Sequence, residues 1–252
     1  MRWVRFTSEG RTAYGALDGD RIDEMAGDLF APPVRTGRMH ALTAVTIEVP
    51  FMPRTFYAAG LNYAGHAREM GLALPYQPDM GYRAVNALIA HDQPVVIPED
   101  ATDVQYEGEL AVVIGRQAKQ LTEADALSCV LGYTIGNDVS ERVWQKSDRT
   151  FWRAKNTDTF KPMGPWIETE ARLQDMETTV RLNGAVQTRF ATADMVFSVQ
   201  RYIATMTRYL TLHPGDVIWM GTDGVSPTLA PGDVVEVEIT GVGTLSNPFV
   251  AA

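Results

Sequence analysis

Short apolar runs broken by turn residues dominate the chain. Trp3-Val-Arg-Phe6 and Ala13-Tyr-Gly-Ala-Leu17 flank Ser8-Glu-Gly-Arg11, and Asp18-Gly-Asp20 marks another turn, so residues 1–48 predict a small N-terminal β-rich unit. Ala31-Pro-Pro-Val-Arg-Thr-Gly37 reads as a linker. In the remainder, 49–252, Arg54–Ala59 predicts a strand, Tyr63–Met70 a short helix stopped by Gly71, and Tyr76–Tyr82 an irregular loop. Pro94–Pro98 is a brief strand, and Tyr106–Ile114 carries the strongest strand signal. Thr122-Glu-Ala-Asp125 ahead of Ala126–Leu131 resembles a capping box opening a helix that Gly132 ends, after which 132–136 is extended. Met195, Val199, Tyr202, Ile203, Met206 and Leu210 recur at helical spacing, which predicts a long amphipathic helix ending before Pro214. Pro214-Gly-Asp-Val217 and Pro231-Gly-Asp-Val234 repeat a turn-then-strand device, with Pro-Gly suited to a type II turn. The sum is an α+β chain, mostly β.

Charge narrows the function classes. With 22 basic and 31 acidic residues the net charge is −9, which disfavours a nucleic-acid partner or an anionic membrane surface. Apolar runs are only a few residues long, so no segment is expected to span a bilayer, and no apolar signal region is visible at the start. Cys129 is the only cysteine, which excludes an intramolecular disulfide or a cysteine zinc site and fits a reducing cytoplasm. There is no Walker A lysine motif, no Gly-x-Ser-x-Gly and no His-Glu-x-x-His. Gly241-Val-Gly243 lacks the third glycine of a dinucleotide fingerprint.

The informative stretch is Tyr106-Glu107-Gly108-Glu109-Leu-Ala-Val-Val-Ile114. Alternate residues of a strand share a face, so Glu107 and Glu109 point with Ala111 and Val113, while Leu110, Val112 and Ile114 line the other side. Apolar residues on both faces mark a strand buried on both sides, where carboxylates are costly unless a cation or donors compensate them. Two residues of strand span roughly 6.6 Å, and oxygens on opposite sides of a hard ion lie ~4–5 Å apart, a gap that flexible Glu stems close. The pair can chelate, or it can sit at a solvated strand mouth.

Asp138, in Asn137-Asp138-Val139-Ser140, offers a third ligand or an Asx-turn. Lys155 is either a buried cation beside these carboxylates or a loop charge. His66 and Glu69 stand i, i+3 on the predicted helix. As a pair they would give a basic, oriented imidazole; as an exposed helical pair they would have no such role.

Gly60-Leu-Asn-Tyr-Ala-Gly-His66, Tyr106–Gly115, Gly132–Ser140, Lys155–Trp166, Leu212–Gly221, the Pro231-Gly-Asp turn and Gly241–Pro248 together resemble the fumarylacetoacetate hydrolase family, in order over about residues 50–250. The resemblance implies a mixed β-roll or sandwich catalytic domain over 49–252 with a small N-terminal β appendage over 1–48. It implies Glu107, Glu109 and Asp138 as metal ligands, Lys155 as the catalytic lysine, and His66 with Glu69 as a lid pair. The chain departs from the family pattern in three places. Lys-Ser-Phe-Asp reads Lys155-Asn-Thr-Asp158, Gly-Thr-Pro reads Gly221-Thr222-Asp223, and a loop lysine is replaced by Arg83. These changes bear on substrate contacts, for which Arg83, Arg142, Gln145 and Thr222 are the candidates.

Three carboxylates at one point repel by roughly 4 kcal/mol per pair at 4 Å and an effective dielectric near 20. A dication removes that cost, and oxygen-only ligands select Mg²⁺, or else Mn²⁺ or Ca²⁺. Its open positions suit a small 2-oxo or 2,4-diketo acid. The expected activity is hydrolytic C–C cleavage of an acylpyruvate- or fumarylacetoacetate-like substrate. His66, oriented by Glu69, would activate water, and the metal and Lys155 would stabilise the enolate. Residues around 60–85 would form a lid. The same chemistry would serve isomerisation or decarboxylation of 2-hydroxyhepta-2,4-diene-1,7-dioate-type or oxaloacetate-type diacids in aromatic catabolism. A metal-stabilised small-molecule binding protein is the non-enzymatic reading. The resemblance also implies a homodimer.

Overall fold

The computed structural model describes residues 1–252. In β1 (Arg2–Ser8) Trp3, Val4 and Phe6 are buried, and turns at Glu9-Gly10 and Gly19 fold β2 (Arg11–Asp18) and β3 (Arg21–Ala26) back beside it. β4 (Val34–Ala41) pairs with β3, so much of the expected linker at 31–37 is instead strand, bent at Gly37 where φ is +81°. β5 (Thr46–Ile47) and β6 (Phe56–Ala59) follow, then α1 (Ala64–Glu69), β7 (Met80–Tyr82), β8 (Leu88–Ile89), β9 (Val95–Ile97), β10 (Val104–Gln105) and β11 (Gly108–Ile114). The second half holds β12 (Val130–Asn137), β13 (Ser140–Glu141), α2 (Arg142–Gln145), β14 (Lys161–Glu168), β15 (Glu177–Leu182), β16 (Ala185–Ala191), α3 (Val199–Tyr209), β17 (Val217–Trp219), β18 (Val234–Ile239) and β19 (Gly243–Ala251).

One sheet runs β4-β3-β2-β1-β14-β12-β11-β17-β6-β7. Arg2 lies opposite Glu168 and Trp3 opposite Ile167, so the N-terminal strands continue the sheet of the larger unit. A second sheet, β16-β15-β18-β19-β9, packs against β11 and β12. The result is a mixed sandwich, α+β and mostly β. As the alternation predicts, β11 is buried on both faces. Leu110, Val112 and Ile114 join Val180, Val237, Leu245 and Tyr202 of α3 in the larger core, while Ala111 and Val113 meet Trp219, Met163 and Ile167 in a second one.

Three local expectations change. The helix expected from Ala126 is a single 3-10 turn, Ala126–Cys129, because Val130 is drawn into strand pairing opposite Ile114. The Thr122 hydroxyl accepts the Asp125 N–H and donates to the Asp125 carboxylate, capping only the short turn that leads into it. The long helix starts at Val199, where the Ser198 hydroxyl accepts the Arg201 N–H, and Met195 is left to bridge Tyr63. The loop at 76–82 is irregular only as far as Asp79, since Met80–Tyr82 pairs with β6. No helix is long and apolar enough to cross a membrane.

Candidate active site

Antiparallel pairing of β11 with β12 assembles the acidic cluster. Gly108 lies opposite Asn137 and Glu109 opposite Gly136, which brings Glu107, Glu109 and Asp138 to one end of the pair. The Asp138 N–H donates to the Glu107 carbonyl at 2.8 Å, and the Glu107 N–H donates to Asn137 Oδ1 at 3.0 Å. One oxygen of each of the three carboxylates lies within 4.8 Å of the others, and all three residues are buried. The glycine between the glutamates is a packing requirement, because a Cβ at Gly108 would stand 2.8 Å from Val180 and 2.9 Å from Val237 of the second sheet. A Cβ at Gly136 would stand 2.6 Å from the Trp219 ring.

Four cations surround the cluster. Lys155 Nζ lies 2.6 Å from Glu107 Oε2 and 3.0 Å from Asp138 Oδ2. The Arg142 guanidinium pairs with Glu107 Oε1 at 2.7 Å, and that of Arg83 with Asp138 Oδ2 at 2.7 Å. Lys161 Nζ, fully buried, donates to Asp138 Oδ1 at 2.8 Å and to the Val139 and Phe160 carbonyls at 2.9 Å each. These charges sort the acids. Burial opposes ionisation of Glu107, but Lys155 and Arg142 outweigh it and hold the carboxyl at about 2. Burial likewise works against Asp138, and Arg83, Lys155 and Lys161 keep it well below the usual carboxylate range. Glu109 has no ion pair and accepts only the Gly221 N–H, at 2.7 Å. Burial, followed by the charges of Asp138 and Glu107, pushes it well above that range. Burial pulls the Lys161 ammonium down to about 7 against the attraction of Asp138.

The donor set fits a hard dication. All three groups offer oxygen, and their mutual separation matches ligands ~2.0–2.6 Å from one ion. The anionic Glu109 that an ion requires is the form burial disfavours, so ion binding and loss of its proton are coupled.

A cavity of about 290 Å³ opens on this cluster and is lined by His66, Arg83, Gln145, Lys155 and Thr222. His66 Nε2 lies 3.9 Å from Glu107 Oε1. Its Nδ1 stands 3.2 Å from the Gly224 carbonyl, which can only accept, so Nδ1 carries a proton and Nε2 is left facing the cluster. The expected pairing of His66 with Glu69 is not formed. Glu69 is exposed and outside the cavity lining, and His66 is held by Gly224 and by Asp223, whose Oδ1 accepts the His66 N–H. Arg83 and Arg142, expected at a substrate's remote end, are turned onto the acids, and Arg142 also bonds Gln105 and Gln145. Lys161 and Asp223 escaped the sequence reading. A lysine in the apolar run Phe160-Lys161-Pro-Met-Gly-Pro-Trp166 was the available sign of a paired, buried cation.

Comparison with known proteins bears on this site. Residues 55–250 match the family described as fumarylacetoacetate (FAA) hydrolase C-terminal, and residues 1–50 match the one described as Rv2993c-like, N-terminal. The chain is 38% identical over 261 residues to Protein Rv2993c of Mycobacterium tuberculosis, covering 99% of this chain and 98% of that one. It is similar to the crystal structure of 5-carboxymethyl-2-hydroxymuconate delta-isomerase from Mycobacterium smegmatis, with a TM-score of 0.93 and 38% identity over 100% of both chains. It is also similar to maleylpyruvate hydrolase from Sphingobium sp. SYK-6 in complex with manganese(II) ion and pyruvate, with a TM-score of 0.84 and 25% identity over 100% of both. Further relatives carry isomerase, decarboxylase and hydrolase names. With its mixed sandwich and buried Glu-Gly-Glu and Asp cluster, the chain belongs to the fumarylacetoacetate hydrolase family.

Proposed function

We propose that the chain is a divalent-metal-dependent enzyme that hydrolyses a C–C bond in acylpyruvate-like 2,4-diketo acids. The observation that carries this reading is the imidazole of His66. Its Nδ1 is fixed on the Gly224 carbonyl, and its Nε2 lies at the cavity beside the acidic cluster. Glu107, Glu109 and Asp138 would hold Mg²⁺ or Mn²⁺, which when bound supplies Lewis-acid stabilisation of a keto oxygen.

The rest of the chemistry falls to the chain's own side chains. His66 Nε2 takes a proton from a water molecule as its oxygen adds to the distal carbonyl. The C–C bond then breaks, its electron pair passes to the 2-oxo acid fragment as the enolate, and His66 returns the proton to the enolate carbon. Lys155, anchored on Glu107 and Asp138, keeps a fixed positive charge beside the developing enolate. Thr222 and Gln145 line the cavity as neutral substrate contacts.

Isomerisation or decarboxylation of a 2-oxo diacid is the second reading, supported by the likeness to the 5-carboxymethyl-2-hydroxymuconate delta-isomerase. Product analysis in H₂¹⁸O separates the two. Hydrolysis of an acylpyruvate places ¹⁸O in the released carboxylic acid, and His66→Ala lowers that rate by about 10²–10⁴. Turnover of oxaloacetate or 2-hydroxyhepta-2,4-diene-1,7-dioate without hydrolysis of any acylpyruvate would overturn the hydrolase reading.

A further inference from the structure

The positive charges at the cavity are all spent on the acids. Arg83 and Lys161 hold Asp138, Arg142 holds Glu107, and Lys155 bridges both. The rest of the lining is of another kind. Met70, Leu72, Ala73 and Pro75, from the segment after α1, face the cavity together with Phe151. Beyond the acidic cluster and the cations bound to it, the one charged carboxylate or ammonium side chain in the lining is an anion, Asp79. Arg68 on α1 and Arg149 beyond α2 are exposed and form no part of the lining.

A carboxylate against these side chains would meet no free cation and face Asp79. An alkyl or aryl group there would cover Met70 and Leu72, which are 40% and 51% exposed. We infer that the substrate is a 2-oxo acid with one carboxylate, held at the acidic cluster, and with an apolar alkyl or aryl group at its remote end, so that diacids are not the preferred ligands. The inference rests on the keto-acid reading of this site and narrows it.

Calorimetric titration of the Mg²⁺-loaded full chain tests it with two probes of equal chain length, 2-oxohexanoate and 2-oxoadipate. The monoacid is expected to bind at least about tenfold more tightly, because the second carboxylate has no partner. Ala73→Arg, at an exposed position, places a cation on the wall. It is expected to shift the affinity ratio of 2-oxoadipate to 2-oxohexanoate by about tenfold in favour of the diacid. Equal or tighter binding of 2-oxoadipate by the unaltered chain overturns this inference alone. Failure of both probes to bind an ion-loaded chain overturns the keto-acid reading beneath it, and this inference with it.

Discussion

Asp223 holds His66 by its backbone: Asp223 Oδ1 accepts the His66 N–H at 2.6 Å across 157 residues of chain. The first turn of a helix leaves N–H groups without partners, and Tyr63 at the start of α1 supplies no side-chain cap. Asp223 fills that role from a distant loop, and the adjacent Gly224 carbonyl takes Nδ1. Gly65 permits the approach, since a Cβ there would overlap the Asp223 carboxylate. Losing a cap of this kind costs about 1–2 kcal/mol of local helix stability, so Asp223→Ala is expected to loosen His66 and lower kcat with metal affinity unchanged. Asp223→Asn, which keeps an acceptor, should recover most of the loss. Steady-state kinetics beside a Mg²⁺ titration decide it, and an unaltered kcat in Asp223→Ala removes the latch.

Glu109 makes ion binding depend on pH. Its carboxyl is pushed above the usual range, so in the ion-free protein it keeps a proton that the unfolded chain has already released. The native state then binds more protons than the unfolded one, and ion-free stability falls as pH rises above the ordinary carboxylate range. Mg²⁺ affinity should rise over the same interval. Calorimetry in two buffers of different ionisation enthalpy should show about one proton released per ion bound. Glu109→Gln should show none, and buffer-independent heats in the unaltered protein would refute the coupling.

Lys161 is ion-paired with Asp138 and donates to the Val139 and Phe160 carbonyls, tying a metal-ligand candidate to β14. Lys161→Met leaves a buried acceptor set unpaired, and breaking such a network costs about 3–5 kcal/mol. Thermal denaturation should register a clear drop in Tm. A Tm equal to that of the unaltered protein would show that Arg83 and Lys155 suffice for Asp138.

Trp219 occupies the space that Gly136 leaves open on β12. Gly136→Ala forces the ring or the strand to move, an overpacking penalty of about 1–3 kcal/mol. Since Gly136 sits two residues before Asp138, chemical denaturation and Mg²⁺ affinity should both weaken. Loss of stability with undiminished ion affinity would uncouple the packing from the site.

The alternation was enough to assign β11 over Gly108–Ile114 and to bury both its faces, although Tyr106 and Glu107, expected in the strand, precede it. Asp138 was legible as the polar end of a second extended run, and the Pro-Gly turns as strand starts. These features were readable because the period of a strand and the chemistry of a turn are written in neighbouring residues. The short 3-10 turn at Ala126–Cys129 was misread because strand pairing at Val130 overrides a local capping signal. The partners of His66 were misread for a related reason. An i, i+3 spacing offers Glu69, but loop closure delivers Asp223 and Gly224, and helix spacing carries no information about either. The sequence alone determined the buried central strand and the spacing of its two acids. Only the tertiary structure decided which cation neutralises which acid, because at a few ångströms in a buried site that pairing depends on contacts between segments up to 55 residues apart.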